Sequence, residues 1–415
     1  MRRAIRWTLL AGLVGTTAVV GMWAFTQTPR PASFLYVWTG DADSTSADFL
    51  AVIDVRRGSA TYADVISTVP VGAKGTGPHH TEHQVERDGI LFANGFGAGR
   101  TFRFDVNRAA SPKLLGSFTN VGDYSFPHSF VQLASGHLLG TFQGHGTTNM
   151  PPGGLVELDR EGRLVRSSSA RAAGFDTRDM RPYSLAVLPA IDRVVSTSTD
   201  MRADYGAQLQ IWRLSDLILL KTIPLPKTGG GDGHRHEGAP SGKFNEQHHL
   251  FPGEPRTLAD GQTVLLATFT CGFYRVSAID SPEPKVDFVK AFGGIDCAVP
   301  VLVGNIWVQT IPDEHAVVAL DVRDAMKPRE LSRVTFDSTF KPHWMAYDKT
   351  SGRLIVNDGG SQLHLLTMQP KTGVLAVDTA FHDRGSNKPG VRFDRATWPH
   401  GATGAAVPHG TVFSR

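Results

Sequence analysis

The chain has 415 residues, 41% hydrophobic and 20% charged, with 44 glycines and 25 prolines, which is globular composition with many turns and few long helices. Formal net charge is +3, but Arg2, Arg3, Arg6 and Arg30 precede a body holding 38 basic against 39 acidic residues, a balance that excludes nucleic-acid binding by bulk charge. Two cysteines exclude a disulfide-stapled scaffold and a four-thiolate zinc site, and sixteen histidines are the surplus to be explained.

Residues 1–30 join a basic start, an uncharged stretch over 7–25 and a Thr/Pro/Gln-rich exit. This pattern reads as an export signal or a single membrane anchor. Nineteen residues at helical rise span about 28 Å, roughly one hydrocarbon core. The arginines before the apolar run place the body outside the cytoplasm. The protein is therefore expected to be exported, periplasmic or extracellular, and to touch a membrane only through this segment if it is retained. In such a compartment Cys271 and Cys297 could pair.

From residue 34 onward the sequence runs in short alternating or apolar segments separated by Gly, Pro, Asp and Asn, grouped in fours. Six groups begin at 79–85, 128–134, 183–189, 248–254, 298–304 and 343–348. The first unit has only three segments (34–40, 48–55, 64–71), and an orphan segment, 409–415, ends the chain. Residues 31–415 are thus predicted to form one all-β domain, a seven-bladed β-propeller whose C-terminal strand completes the first blade. A pair of β-sandwiches or a β-solenoid is the alternative. The repeat unit reads as polar–His–x–apolar, a tight turn, then apolar–apolar–x–Thr/Asn. The Gly- and His-rich stretch 228–247 breaks the pattern and reads as an inserted surface loop at a rim, where a lid could sit. Its His234 and His236 are a weak surface metal candidate.

Pro-His occurs at Pro78-His79, Pro127-His128, Pro342-His343, Pro399-His400 and Pro408-His409, and His-His at His79-His80 and His248-His249. Most of these fall where an innermost strand begins. Innermost strands line a propeller's channel, so distant histidines are expected to converge there. Neutral imidazole is a good ligand for transition metals. The expected ligands are His80, His128, His249 and His343, with His79 or His248 exchanging within each pair, because strand alternation lets only one of two neighbours face inward. Glu82 and Glu246 are candidate carboxylates behind the ligands. His83 is expected on the opposite face. His400 and His409 are further candidates for the channel, and Cys297 is either a thiolate ligand or the partner of Cys271. His137, His145, His315, His364 and His382 read as structural. No nucleophile elbow, zinc-protease, P-loop or dinucleotide signature is present in a fitting context.

The PHH of the second blade, PHS of the third, EQHHLFPG (246–253), PHWMAYDKTSGRLIVNDG (342–359) and LQIWRLSDLILLKTIPL (209–225) together resemble the selenium-binding protein family across most of residues 34–415. The resemblance implies a seven-bladed propeller with channel histidines, here His79, His80, His128, His249 and His343. Some members of that family are copper-dependent methanethiol oxidases, which convert methanethiol and O₂ to formaldehyde, hydrogen sulfide and hydrogen peroxide. The Cys-rich segments of animal members are absent here, which counts against selenium binding. The expected function is an exported oxidoreductase with a histidine-held metal, copper or another transition metal, acting as a monomer on a small molecule such as a thiol. The alternatives are a non-catalytic binding or interaction propeller and, more weakly, a metal-free lactonase-like or quinoprotein-like enzyme.

Overall fold

Apolar runs that a sheet buries on both faces become inner strands, and alternating runs become edges. Phe34–Asp41 and Phe49–Asp54 are buried throughout, whereas the outer strand Lys113–Phe118 alternates exposed and half-buried positions. The computed structural model describes residues 30–201, 205–226, 228, 249–294 and 296–415. The apolar N-terminal stretch and most of the 228–247 loop, with His234, His236, Glu246 and also His248, lie outside the described residues. Among those described, no α-helix occurs, and no helix is long and apolar enough to cross a membrane.

The described strands form seven antiparallel sheets, each with a four-strand path read outward from an innermost strand. Those innermost strands are Thr403–Phe413 (blade 1), Pro78–Thr81 (blade 2), Tyr124–Gln132 (blade 3), Pro182–Leu188 (blade 4), Pro252–Thr257 (blade 5), Val301–Val303 (blade 6) and Met345–Asp348 (blade 7). The C-terminal strand pairs with Phe34–Asp41, with Leu35 opposite Phe413. The expected closure is therefore present, six residues earlier in its start than the sequence suggested. The innermost strands of blades 1 to 5 approach one another in turn, and those of blades 6 and 7 lead back to blade 1.

The apolar core lies between blades rather than on the axis. Leu35, Phe49 and Ile53 of blade 1 pack against Ile355, Leu365 and Phe381 of blade 7. Trp38 and Leu50 of blade 1 meet Leu91, Phe102 and Phe104 of blade 2 on the other side. Analogous clusters fill the remaining junctions. Each fully buried Val, Leu, Ile or Phe contributes about 1.5–3 kcal/mol, so the junctions carry the stability and the axis is free to be polar. Cys271 and Cys297 form a disulfide, Sγ–Sγ 2.07 Å, within the junction of blades 5 and 6 beside Phe273 and Trp307. Cys297 is thereby removed from the candidate ligands, since its sulfur is bonded and buried away from the histidines.

Candidate metal centre

A repeated β-bulge builds the axis. In blade 2, Pro78 pairs with Gly95 and Thr81 with Ala93, so His79 and His80 together oppose the single residue Asn94. The same count places His128-Ser129 opposite Thr141 in blade 3. Tyr183-Ser184 opposes Thr197 in blade 4, Gly253-Glu254 opposes Ala267 in blade 5, and His409-Gly410 opposes Trp38 in blade 1. A proline precedes each pair, at a place where no ladder donor is needed. A bulge breaks the two-residue alternation of a strand and re-aims side chains. This corrects the expectation that only one of His79 and His80 could face inward: both join the cluster.

The bulge leaves the N–H of its second residue without a ladder partner, and a buried N–H must find one. The Thr/Asn of the sequence repeat supplies it. His80 N donates to Asn94 Oδ1 (2.8 Å), Ser129 N to Thr141 Oγ1 (3.1 Å), Ser184 N to Thr197 Oγ1 (3.2 Å) and, in blade 7, Trp344 N to Asn357 Oδ1 (3.2 Å). Asn94 Nδ2 also donates to the carbonyls of Pro127 (3.0 Å) and His128 (2.6 Å), tying blade 2 to blade 3. Asn357 Nδ2 does the same to His409 O. Gly410 lets the strands of blades 1 and 2 meet, since a Cβ there would lie 2.6 Å from His79 O.

His79, His80 and His128 each present a ring nitrogen within 4.8 Å of the others'. His79 Nε2 lies 2.9 Å from His128 Nε2, and His79 Nδ1 lies 3.0 Å from His409 Nε2. His343 sits beside His409, ring centroids 5.0 Å apart. The outer ends of this chain of imidazoles are fixed. His128 Nδ1 faces Tyr183 O at 2.8 Å and His409 Nδ1 faces His79 O at 3.0 Å, and a carbonyl only accepts, so both Nδ1 atoms carry protons. If neutral, both rings then present bare Nε2 lone pairs to His79. A neutral His79 donates to only one of them, leaving two lone pairs face to face across the other contact. One positive charge, a proton or a metal ion, resolves this. Burial, then repulsion from His409, His128 and His343, pushes His79 well below its ordinary range, so a proton is a poor occupant at neutral pH. His80 Nε2 is buried without a hydrogen-bond partner. Tied Nδ1–H groups, inward lone pairs and an orphaned imidazole nitrogen fit a transition metal that takes nitrogen ligands.

Glu254 lies beside this cluster. Its Oε1 is 3.3 Å from His80 Nδ1, and its Oε2 is 3.2 Å from His83 Nε2 and 2.5 Å from Arg256 Nη2. Burial alone would raise this carboxyl, but Arg256 and His83 outweigh it and hold it well below the usual carboxylate range. Aromatic rings enclose the rest. Tyr183 packs on His128 (centroids 3.8 Å), Trp344 on His80 (4.6 Å), and Phe96 on both His79 (5.6 Å) and His128 (5.4 Å), while Phe269 abuts Tyr183 (5.5 Å). His80 and His128 are fully buried, whereas His79, His343 and His409 are half-buried.

Several expected residues lie elsewhere. His249 does not reach the cluster: its Nδ1 bonds Thr270 O at 2.9 Å and its ring stacks on Phe288, in the outer strand of blade 5. The strand begins only at Pro252, and His249 and Phe251 both have left-handed backbone (φ 62° and 70°), which turns the histidine outward over Gly272. Glu82 does not back a ligand; Arg160 Nη1 (2.9 Å) and Phe92 N (2.9 Å) occupy its oxygens between blades, and burial pushes it up to about 7 against the pull of Arg160. His400 bonds Thr68 Oγ1 at 2.7 Å and packs on Phe49, since Pro399 precedes a turn rather than a bulge. His83, far from facing away, shares Glu254 with His80 and stacks on Trp344. Sequence reasoning missed Glu254, Tyr183 and Asn94. Proline was the available signal: Pro252 and Pro182 stand where Pro78 and Pro127 stand, without a histidine after them.

No family model matches the chain. It is 30% identical over 217 residues to a methanethiol oxidase of a Hyphomicrobium species, covering 46% of this chain and 48% of that protein. It is 28% identical over 200 residues to a methanethiol oxidase of Ruegeria pomeroyi, covering 43% and 44%. Slightly under half of the chain is thus similar in sequence to methanethiol oxidases. These matches span about half the length of the curated relatives. Among solved structures, a hypothetical selenium-binding protein from Sulfolobus tokodaii superposes with a TM-score of 0.69 at 14% identity, over 93% of this chain and 94% of that one. A periplasmic gluconolactonase from Pseudomonas aeruginosa gives 0.59 at 14% identity, over 92% and 99%. At such identity these two likenesses establish the propeller alone. They agree with the propeller expected from the sequence.

Proposed function

We propose that this protein is a metal-dependent oxidase of a small thiol, with copper as the metal. The convergence of His79, His80 and His128, joined by His409, carries this reading. These four would hold the metal, and His343 stands beside His409. Bound copper supplies the one-electron chemistry that lets a thiol react with O₂. The chain's own groups do the rest. Asn94 and Asn357 fix the bulges that carry the rings. The Tyr183 and His79 carbonyls keep the Nδ1 protons of His128 and His409 turned away from the centre. Phe96, Tyr183, Phe269 and Trp344 exclude water and favour a small apolar substrate over a charged one. The apolar stretch after the basic N-terminus supports an exported protein, periplasmic or extracellular.

Copper-loaded protein is expected to consume methanethiol, O₂ and water and to release formaldehyde, hydrogen sulfide and hydrogen peroxide in equal amounts. Simultaneous oxygen-electrode, sulfide and peroxide readings test this. Folded, copper-loaded protein that takes up no O₂ with methanethiol or any other small thiol would overturn the assignment.

Metal affinity is expected to persist in mild acid. A ligand must be neutral to bind. Burial pushes His128 and His343 down to about 4, so lowering the pH from 7.5 to 5.5 leaves them unprotonated. An ordinary imidazole, near 6.5, would instead lose about tenfold per ligand over that interval. Chelator competition at the two pH values should show a change of only a few-fold. A hundredfold loss would contradict the burial argument.

A further inference from the structure

We propose that Glu254 is the positioning residue of the histidine cluster, holding His80 with its proton on Nδ1 and its bare Nε2 lone pair toward the metal, and balancing the metal's charge from across the axis. The proposal rests on the metal-binding reading above and deepens it.

Three observations carry it. First, Glu254 is the second residue of the blade-5 bulge, the place that His80 holds in blade 2. The fold therefore brings a carboxylate and an imidazole to one layer of the axis from blades that are far apart in the chain. Second, Glu254 is 2% exposed, and its Oε1, which lacks a hydrogen-bond partner, is 3.3 Å from His80 Nδ1, the nitrogen that also meets Ser129 Oγ at 3.3 Å. A carboxylate only accepts, so it favours a proton on the nitrogen facing it. That leaves Nε2 as the lone pair, and Nε2 is the buried atom with no partner. Third, the carboxylate is itself held. Arg256 Nη2 reaches both Glu254 Oε2 (2.5 Å) and Pro300 O (2.8 Å), and His83, stacked on Trp344 at 5.1 Å, reaches Oε2 from the other side. A carboxylate behind a ligand imidazole fixes the tautomer and raises ligand basicity. Glu254 is not itself within the group of mutually close ligand atoms, so its action runs through His80.

The test measures binding of Cu²⁺ and Zn²⁺ to the full-length protein by chelator competition, together with the electron paramagnetic resonance spectrum of the Cu²⁺ form. Wild type, E254Q and E254Q/R256Q are compared. The double variant removes the buried charge pair together, so that it keeps its fold if an unpaired Arg256 unfolds the single one. Affinity is expected to fall about 10- to 100-fold in the folded variants, with altered copper hyperfine splitting. Wild type that binds metal, beside variants that bind equally well with an unchanged spectrum, would overturn the role of Glu254 and leave the metal centre standing. Wild type that binds neither metal would overturn both.

Discussion

His128→Ala is expected to lower bound metal at least roughly tenfold, because outer partners of a metal ligand are alone worth about 10–100-fold and His128 is placed as a ligand itself. Its Nδ1–H is committed to Tyr183 O, so Nε2 is the only atom it offers inward. The ring is fully buried against Tyr183, and its loss leaves a cavity, with Thr141 Oγ1 (2.7 Å) as the remaining donor to Tyr183 O. A stability cost of about 2–5 kcal/mol is therefore expected as well. His409→Ala separates the two effects. His409 is half-buried, so its removal costs less packing, yet it takes away the second inward Nε2. Elemental analysis of both variants, beside their thermal unfolding, reads the result. Wild-type metal content in both folded variants would remove the histidine cluster as the metal centre.

Deleting residues 403–415 is expected to abolish cooperative folding. This strand is the innermost of blade 1 and arrives from the far end of the chain. Val412 and Phe413 are buried in the cores on either side of that blade, and together contribute about 3–6 kcal/mol. Whole domains are stable by only about 5–15 kcal/mol. The deletion also strips Phe34–Asp41 of its ladder partner, leaving a buried edge of unpaired backbone groups. Trp344 Nε1 loses Thr411 O, and the axis loses His409. Soluble yield and calorimetric unfolding of the shortened chain decide the matter. A soluble product with a sharp transition near that of the full chain would show that closure by this strand is dispensable.

Much of this was legible because β-structure writes itself locally. Turn residues at regular spacing and apolar runs between them define seven units, and an unpaired first unit demands a last strand. Three of the Pro-His pairs, at His79, His128 and His343, lie in or just before innermost strands, so these histidines and His80 stood out from their local sequence, whereas Pro399-His400 marks a turn. His249 was misplaced for a reason no pattern could display. Its backbone is left-handed although it is not glycine, so the strand starts three residues later and the carboxylate of Glu254 takes the axial place. The alternation rule failed at His79-His80 because the bulge inserts two residues against one, and a bulge is a property of the pair of strands.

The sequence by itself determined the blade count, the manner of closure and the supply of imidazoles at strand entries, since each depends on residues near one another in the chain. The tertiary structure alone decided which of those imidazoles meet. His79 touches His128 and His409, 49 and 330 residues away, only because the ring closes and Gly410 allows two strands to approach. It also decided the chemistry of the meeting. Carbonyls at the ends of the imidazole chain orient its protons, burial keeps the rings neutral, and a carboxylate from the opposite blade stands behind His80. Those are distances and dielectric surroundings, which only the folded chain creates.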